Sequence, residues 1–159
     1  CIGGFKKIEF DKGGEIKYNF LSTKIFDDFD MHLIFTNVMR NSKSVLKEVT
    51  KNIDRSYPLI ELLNKAYEEL IRENYDDFIN YINLSWEIKK STTSKMIENP
   101  KIQAIDSYLL ENESVIAHKL CGAGNGGFFL TFSKKNKLDI SLPFVKVNVD
   151  SRGVLGEII

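Results

Sequence analysis

The sequence predicts an α+β fold, and three observations carry that expectation. Alternating or short apolar segments with turn signals occupy both ends of the chain. Apolar residues at helical spacing fill the middle. The two kinds of segment stay apart instead of interleaving as βαβ units, so helices are expected to pack on an antiparallel sheet.

The elements follow in order. Residues 5 to 20 read as a hairpin: "FKKIEF", a "DKGG" turn, then "EIKYNF", in which Ile16, Tyr18 and Phe20 alternate with Glu15, Lys17 and Asn19. "MHLIFTN" (31 to 37) is a short strand bounded by the acidic "DDFD". Asn41 or Ser42 caps a helix with Val45, Leu46, Val49 and Ile53 on one side. Pro58 opens a second helix, where Leu59, Leu62, Leu63, Ala66, Tyr67, Leu70 and Ile71 keep a helical period. Asp76 and Asp77 suit the first turn of a third, which buries Phe78, Ile79, Ile82 and Trp86. In "ENPKI", Asn99 is the cap and Pro100 the first residue of a helix turning Ile102, Ile105 and Leu109 inward. Asp106 is assigned to its surface. "SVIAHKL", "GFFLTF" and "FVKVNV" complete the chain as strands, the last with one wet face.

Composition bounds the function. The chain has 159 residues, enough for one core or a core with a small appendage. Lysine plus arginine (22) balances aspartate plus glutamate (22), so bulk charge encodes neither nucleic acid nor an anionic membrane as partner. No apolar run reaches the roughly 18 residues of a membrane span, and the start shows no signal-peptide pattern. Cys1 and Cys121, with His32 and His118, provide neither a disulfide scaffold nor metal spacing, and a cytoplasmic location is expected. The opening cysteine suggests a processed, excised or partial N-terminus. No metal cluster, nucleophile triad or acid–base pair stands out, so no residue is assigned a catalytic role.

The densest signal is "HKLCGAGNGGFFLTF", residues 118 to 132. Gly122, Gly124 and Gly127 satisfy G-x-G-x-x-G, but the dinucleotide fingerprint must open a helix, and Phe128 to Phe132 read as a strand. Without G-K-[ST] it is no Walker A loop either. Two readings stay open. Consecutive amides can form an anion nest, each bond to a charged oxygen contributing ~1.5 to 3 kcal/mol. Alternatively the glycines only permit a tight turn, although each extra glycine costs ~0.5 to 1 kcal/mol of backbone entropy.

"KLCGAGNGGFFLTF" resembles the third signature of the GHMP kinases, the superfamily of galactokinase, homoserine kinase and mevalonate kinase. Asn125 replaces a usual glycine and leaves Gly122, Ala123, Gly124, Gly126 and Gly127 in register. "GGFKKIEF", "RNSKSVL" and "WEIKKSTTSKMIENPKI" resemble the branch that phosphorylates D-glycero-D-manno-heptose 7-phosphate at the anomeric hydroxyl. The resemblance implies a C-terminal ferredoxin-like lobe over 27–159, preceded at 1–26 by strands of a missing N-terminal lobe. It implies ATP and magnesium as cofactors of the complete enzyme and a sugar phosphate as substrate. The upstream lobe, in cis or in trans, would bring the nucleotide loop and the acidic D-Q-Y-A segment. The isolated piece is then expected to be inactive, to bind ATP weakly and to self-associate through its opening strands. A non-catalytic small-molecule binding or regulatory module with the same lobe is the alternative, and an excised structural fragment a third.

In this frame Gly122 to Gly127 edge the phosphates or brace the nucleotide loop. Arg40 and Ser42 border the sugar cleft, where arginine's fork suits phosphate. Lys89, near Trp86 on the third helix, and Lys119, before the glycines, are further candidates for the substrate's anion. Lys90 is assigned to a solvated face, His118 and Cys121 to the strand, and Trp86 to the core.

Overall fold

In the computed structural model, residues 3–11, 13–39 and 42–153 are described. Cys1 and Arg40 lie outside them, as do the side chains of residues 42–44. A hairpin, β1 (Lys6–Phe10) and β2 (Ile16–Phe20), opens the chain. A one-turn α1 (Ile25–Asp28) leads into β3 (Phe29–Phe35). Four helices follow: α2 (Ser42–Lys51), α3 (Pro58–Ile71), α4 (Tyr75–Thr92) and α5 (Pro100–Glu111). Then β4 (Ala117–Leu120), β5 (Phe128–Lys134) and β6 (Phe144–Val147) return to the sheet.

The helix boundaries have local causes. Pro58 starts α3 where a missing amide costs nothing. Asp76 and Asp77 face the positive end of α4, and Lys89 and Lys90 its negative end. Asn99 caps α5 by accepting from the Lys101 amide at 2.9 Å.

The main sheet runs β4-β5-β3-β6, antiparallel throughout. Counting these strands in chain order gives 4-1-3-2 when read from β6, the split arrangement of ferredoxin-like folds. The helices α2 to α5 form the first crossover, and an irregular connection replaces the second. The expectation of helices on an antiparallel sheet holds.

Strand pleating sorts the core into two clusters. On one face Ile34, Leu120 and Phe129 pack with Val45 of α2, Trp86 of α4 and Ile102, Ile105 and Leu109 of α5. On the other, Phe29, Ala117 and Phe132 pack with Leu70 of α3, Ile79 of α4 and Ile25. Leu46, Ile53, Leu63 and Ile71, read above as inward, are exposed, because each helix buries a narrower stripe than its apolar positions offer. The wet face expected of "FVKVNV" extends further: β6 is an edge strand, with Phe144 and Val145 both exposed.

Candidate functional site

The glycine stretch is the connection between antiparallel neighbours β4 and β5. Leu120 stands opposite Phe129, and the Cys121 amide donates to the Phe128 carbonyl at 2.8 Å before the chains diverge. Gly122, Gly124, Asn125, Gly126 and Gly127 all have positive φ, from 52° to 147°. Only glycine, and less readily asparagine, adopts such angles cheaply. Asn125, at φ 52°, is the one non-glycine among them.

Part of the loop is fixed to the lobe. The Asn125 amide donates to the Met96 carbonyl at 2.8 Å, and its side-chain oxygen accepts from the Asn99 amide at 3.3 Å. Gly127 donates to the Val38 carbonyl at 3.2 Å, while its own carbonyl accepts from the amide and hydroxyl of Thr36, at 2.9 and 2.8 Å. A Cβ on Gly124 would stand 2.3 Å from the Met96 sulfur, so the loop presses directly on the 3-10 turn Ser94–Ile97. The amides of Gly122, Ala123 and Gly126 take no acceptor among the described residues. Bracing thus accounts for some of the loop's amides and not for those of Gly122, Ala123 and Gly126. Gly122 is exposed, Ala123 half-buried and Gly126 buried.

Of the lysines singled out above, one reaches this loop. Lys89 Nζ donates to the Gly122 carbonyl at 2.5 Å and lies 5.9 Å from the centre of the Trp86 ring. Lys119 points to the opposite face of the sheet, where it lines an apolar cavity. Ser42 opens α2, and Arg40, two residues beyond Val38, lies outside the described residues.

Beside the strand that leads into the loop is a polar network of Trp86, Lys90, Asp106 and His118, of which the sequence reading misplaced Asp106 and Lys90. Asp106 is buried, 6% exposed, not superficial. One of its oxygens accepts from Trp86 Nε1 at 2.6 Å and lies 2.9 Å from His118 Nε2. The other accepts from Lys90 Nζ at 3.0 Å. Lys90 also pairs with Glu87 at 2.6 Å, so it lies along the lobe instead of in free solvent. Burial alone would raise the Asp106 pKa. The bonds from His118, Trp86 and Lys90 outweigh it and hold the carboxyl at about 2. The signal was present: Asp106 falls inside the Ile102, Ile105, Leu109 stripe, and Lys90 stands four residues after Trp86. The network joins α4, α5 and β4 under the strand that delivers the glycines.

A second buried carboxylate, Asp30, anchors the far end of the sheet through Lys146 at 2.8 Å, Lys135 at 3.3 Å and the Asn136 amide at 2.9 Å. Burial opposes its charge, but these donors hold its pKa at about 2. Among the described residues no group of three His, Cys, Asp or Glu is placed to hold a metal ion. None of their helices is long and apolar enough to cross a membrane.

No protein-family model matches the chain, and no curated protein matches it. Solved structures do. Mevalonate kinase of L. major, in complex with R-mevalonate, aligns with a TM-score of 0.56 at 12% identity, over 82% of this chain and 40% of that one. Galactokinase of Lactococcus lactis, complexed with galactose, aligns at 0.59 and 13%, over 82% and 43%. The chain spans less than half the length of either structure. Its fold is therefore that of the portion of these two kinases which it covers: an antiparallel sheet with helices packed on it.

Proposed function

We propose that the chain is the rear lobe of an ATP-dependent small-molecule kinase of the GHMP type, with a heptose 7-phosphate as phosphoryl acceptor. The observation that carries this reading is the loop 122–127, in which the amides of Gly122, Ala123 and Gly126 take no acceptor among the described residues while their neighbours brace the loop. The fold shared with two kinases supports it, and the segments quoted above favour the heptose branch.

ATP supplies the transferred phosphoryl group when bound. Phosphoryl transfer depends mainly on positioning and on neutralising charge at the phosphate oxygens. The contribution of this chain is the set of rigid backbone donors at the cleft edge, oriented before the reaction begins. The donor set fits phosphate oxygens; no described residues are grouped to hold the magnesium ion that would accompany ATP, so its protein ligands would come from a front lobe. The acidic residue belongs to that lobe as well, in cis or in trans. The hairpin is its seat: Ile8, Phe10, Ile16, Tyr18 and Phe20 line one face of β1–β2, and all are exposed.

Phosphorus NMR of the protein made from its complete reading frame, with ATP, magnesium and heptose 7-phosphate, tests the reading. A new anomeric phosphate is expected, and Gly124→Val should abolish its formation. Absence of transfer to any sugar phosphate overturns the reading. Micromolar ATP affinity in the 159-residue chain alone would show the nucleotide site to be misplaced.

A further inference from the structure

The sheet face opposite the Asp106 network holds a cavity of about 470 Å³. Leu62 and Ala66 of α3, Ile82 of α4, Leu130 and Phe132 of β5, and Phe5 form its apolar walls. Its polar side chains are Tyr81, Ser85 and Lys119. The Ser85 hydroxyl already donates to the Ile82 carbonyl at 2.7 Å. The Lys119 ammonium has neither a hydrogen bond nor an ion pair among the described residues.

We propose that this cavity binds a single-chain amphiphile, a medium-chain carboxylic acid, with its carboxylate on Lys119 and its alkyl chain between α3, α4 and the sheet. A sugar does not suit these walls, since most of its hydroxyls would be buried without partners. An alkyl chain gains from every apolar side chain that it covers. The head is a carboxylate because one ammonium is a point charge that balances one negative charge, and no arginine fork lines the cavity. The size is right: 470 Å³ lies within the range of small-molecule sites, roughly 300 to 1,000 Å³. At ~30 Å³ for each water-sized group, it accommodates about fifteen non-hydrogen atoms, enough for decanoate.

Calorimetry on the 159-residue chain without nucleotide tests this site independently of the kinase reading. Decanoate should bind one to one, and glucose 6-phosphate should not compete with it. Lys119→Gln should weaken decanoate about tenfold, the scale of one hydrogen bond to a charged group, and leave decanol unchanged. Ala66→Phe fills the cavity and should abolish binding of both; Leu62→Phe repeats the test if that variant unfolds. No decanoate binding by the unaltered chain overturns the proposal, as does equal binding by the Lys119 and Ala66 variants. A dimer that Ala66→Phe dissociates and decanoate does not would show a second copy seated there, and would also overturn it.

Discussion

Phe129 and Phe20 occupy comparable places, each on an antiparallel pair, yet Phe129 is fully buried and Phe20 is 63% exposed. Helices cover the faces of the four-stranded sheet around Phe129. The hairpin has one polar face, with Lys7, Glu9, Lys17 and Asn19. On its apolar face, which is exposed, the Lys6 ammonium lies 5.9 and 5.5 Å from the Tyr18 and Phe20 ring centres. An isolated two-stranded sheet is marginal in water, and open edges invite pairing. The lobe therefore supplies its own stability, whereas the apolar face of the hairpin is suited to covering by another surface.

The largest effect sharpens this contrast. Phe129→Ala should cost about 3 to 5 kcal/mol in urea unfolding, while Phe20→Ala should stay within about 0.5 kcal/mol. Equal losses would mean that the hairpin belongs to the lobe's own core.

Next comes the buried carboxylate. Asp106→Ala leaves Lys90 and the Trp86 and His118 nitrogens without their acceptor, and should cost about 3 kcal/mol. Its folded pKa of about 2 lies below the ordinary 3.8, so the folded state favours the deprotonated form. That stability is complete above the unfolded value and disappears as pH falls through about 2, a change of about 2 kcal/mol. The gap between the unaltered chain and Asp106→Ala should narrow over the same pH window. A gap independent of pH would contradict the network.

Gly124→Ala should destabilise by about 1 to 3 kcal/mol, because φ is 104° there. Met96→Ala in the same chain should recover only the part due to the clash with its sulfur. The smallest stability effect falls on the hairpin. Phe10, 75% exposed, can be replaced by serine with about 0.5 kcal/mol or less at stake, yet Phe10→Ser should reduce self-association in sedimentation. Unchanged association would remove the hairpin from the interface.

Much of this architecture was legible in the sequence. Pro58, Asn99 and Pro100 marked helix starts because capping is local chemistry. The alternation in "EIKYNF" gave β2, and the phenylalanines after Gly127 excluded a helix. Asp106 and Lys90 were misplaced because a charged side chain inside an apolar stripe looks like surface until its partner is known. Here Asp106 and Lys90 are each other's partners, and His118 of β4, twelve residues beyond Asp106, completes the set. The division of labour in the glycine loop was likewise hidden, since Met96, Val38 and Thr36 reach it from distant segments.

That division is most directly tested by amide NMR of the ¹⁵N-labelled chain titrated with tripolyphosphate into the millimolar range. The Gly122, Ala123 and Gly126 signals should shift together and saturate, while those of Asn125 and Gly127 stay in place and resist hydrogen exchange. Rapid exchange at Asn125 and Gly127, or no response anywhere in the loop, would contradict the account.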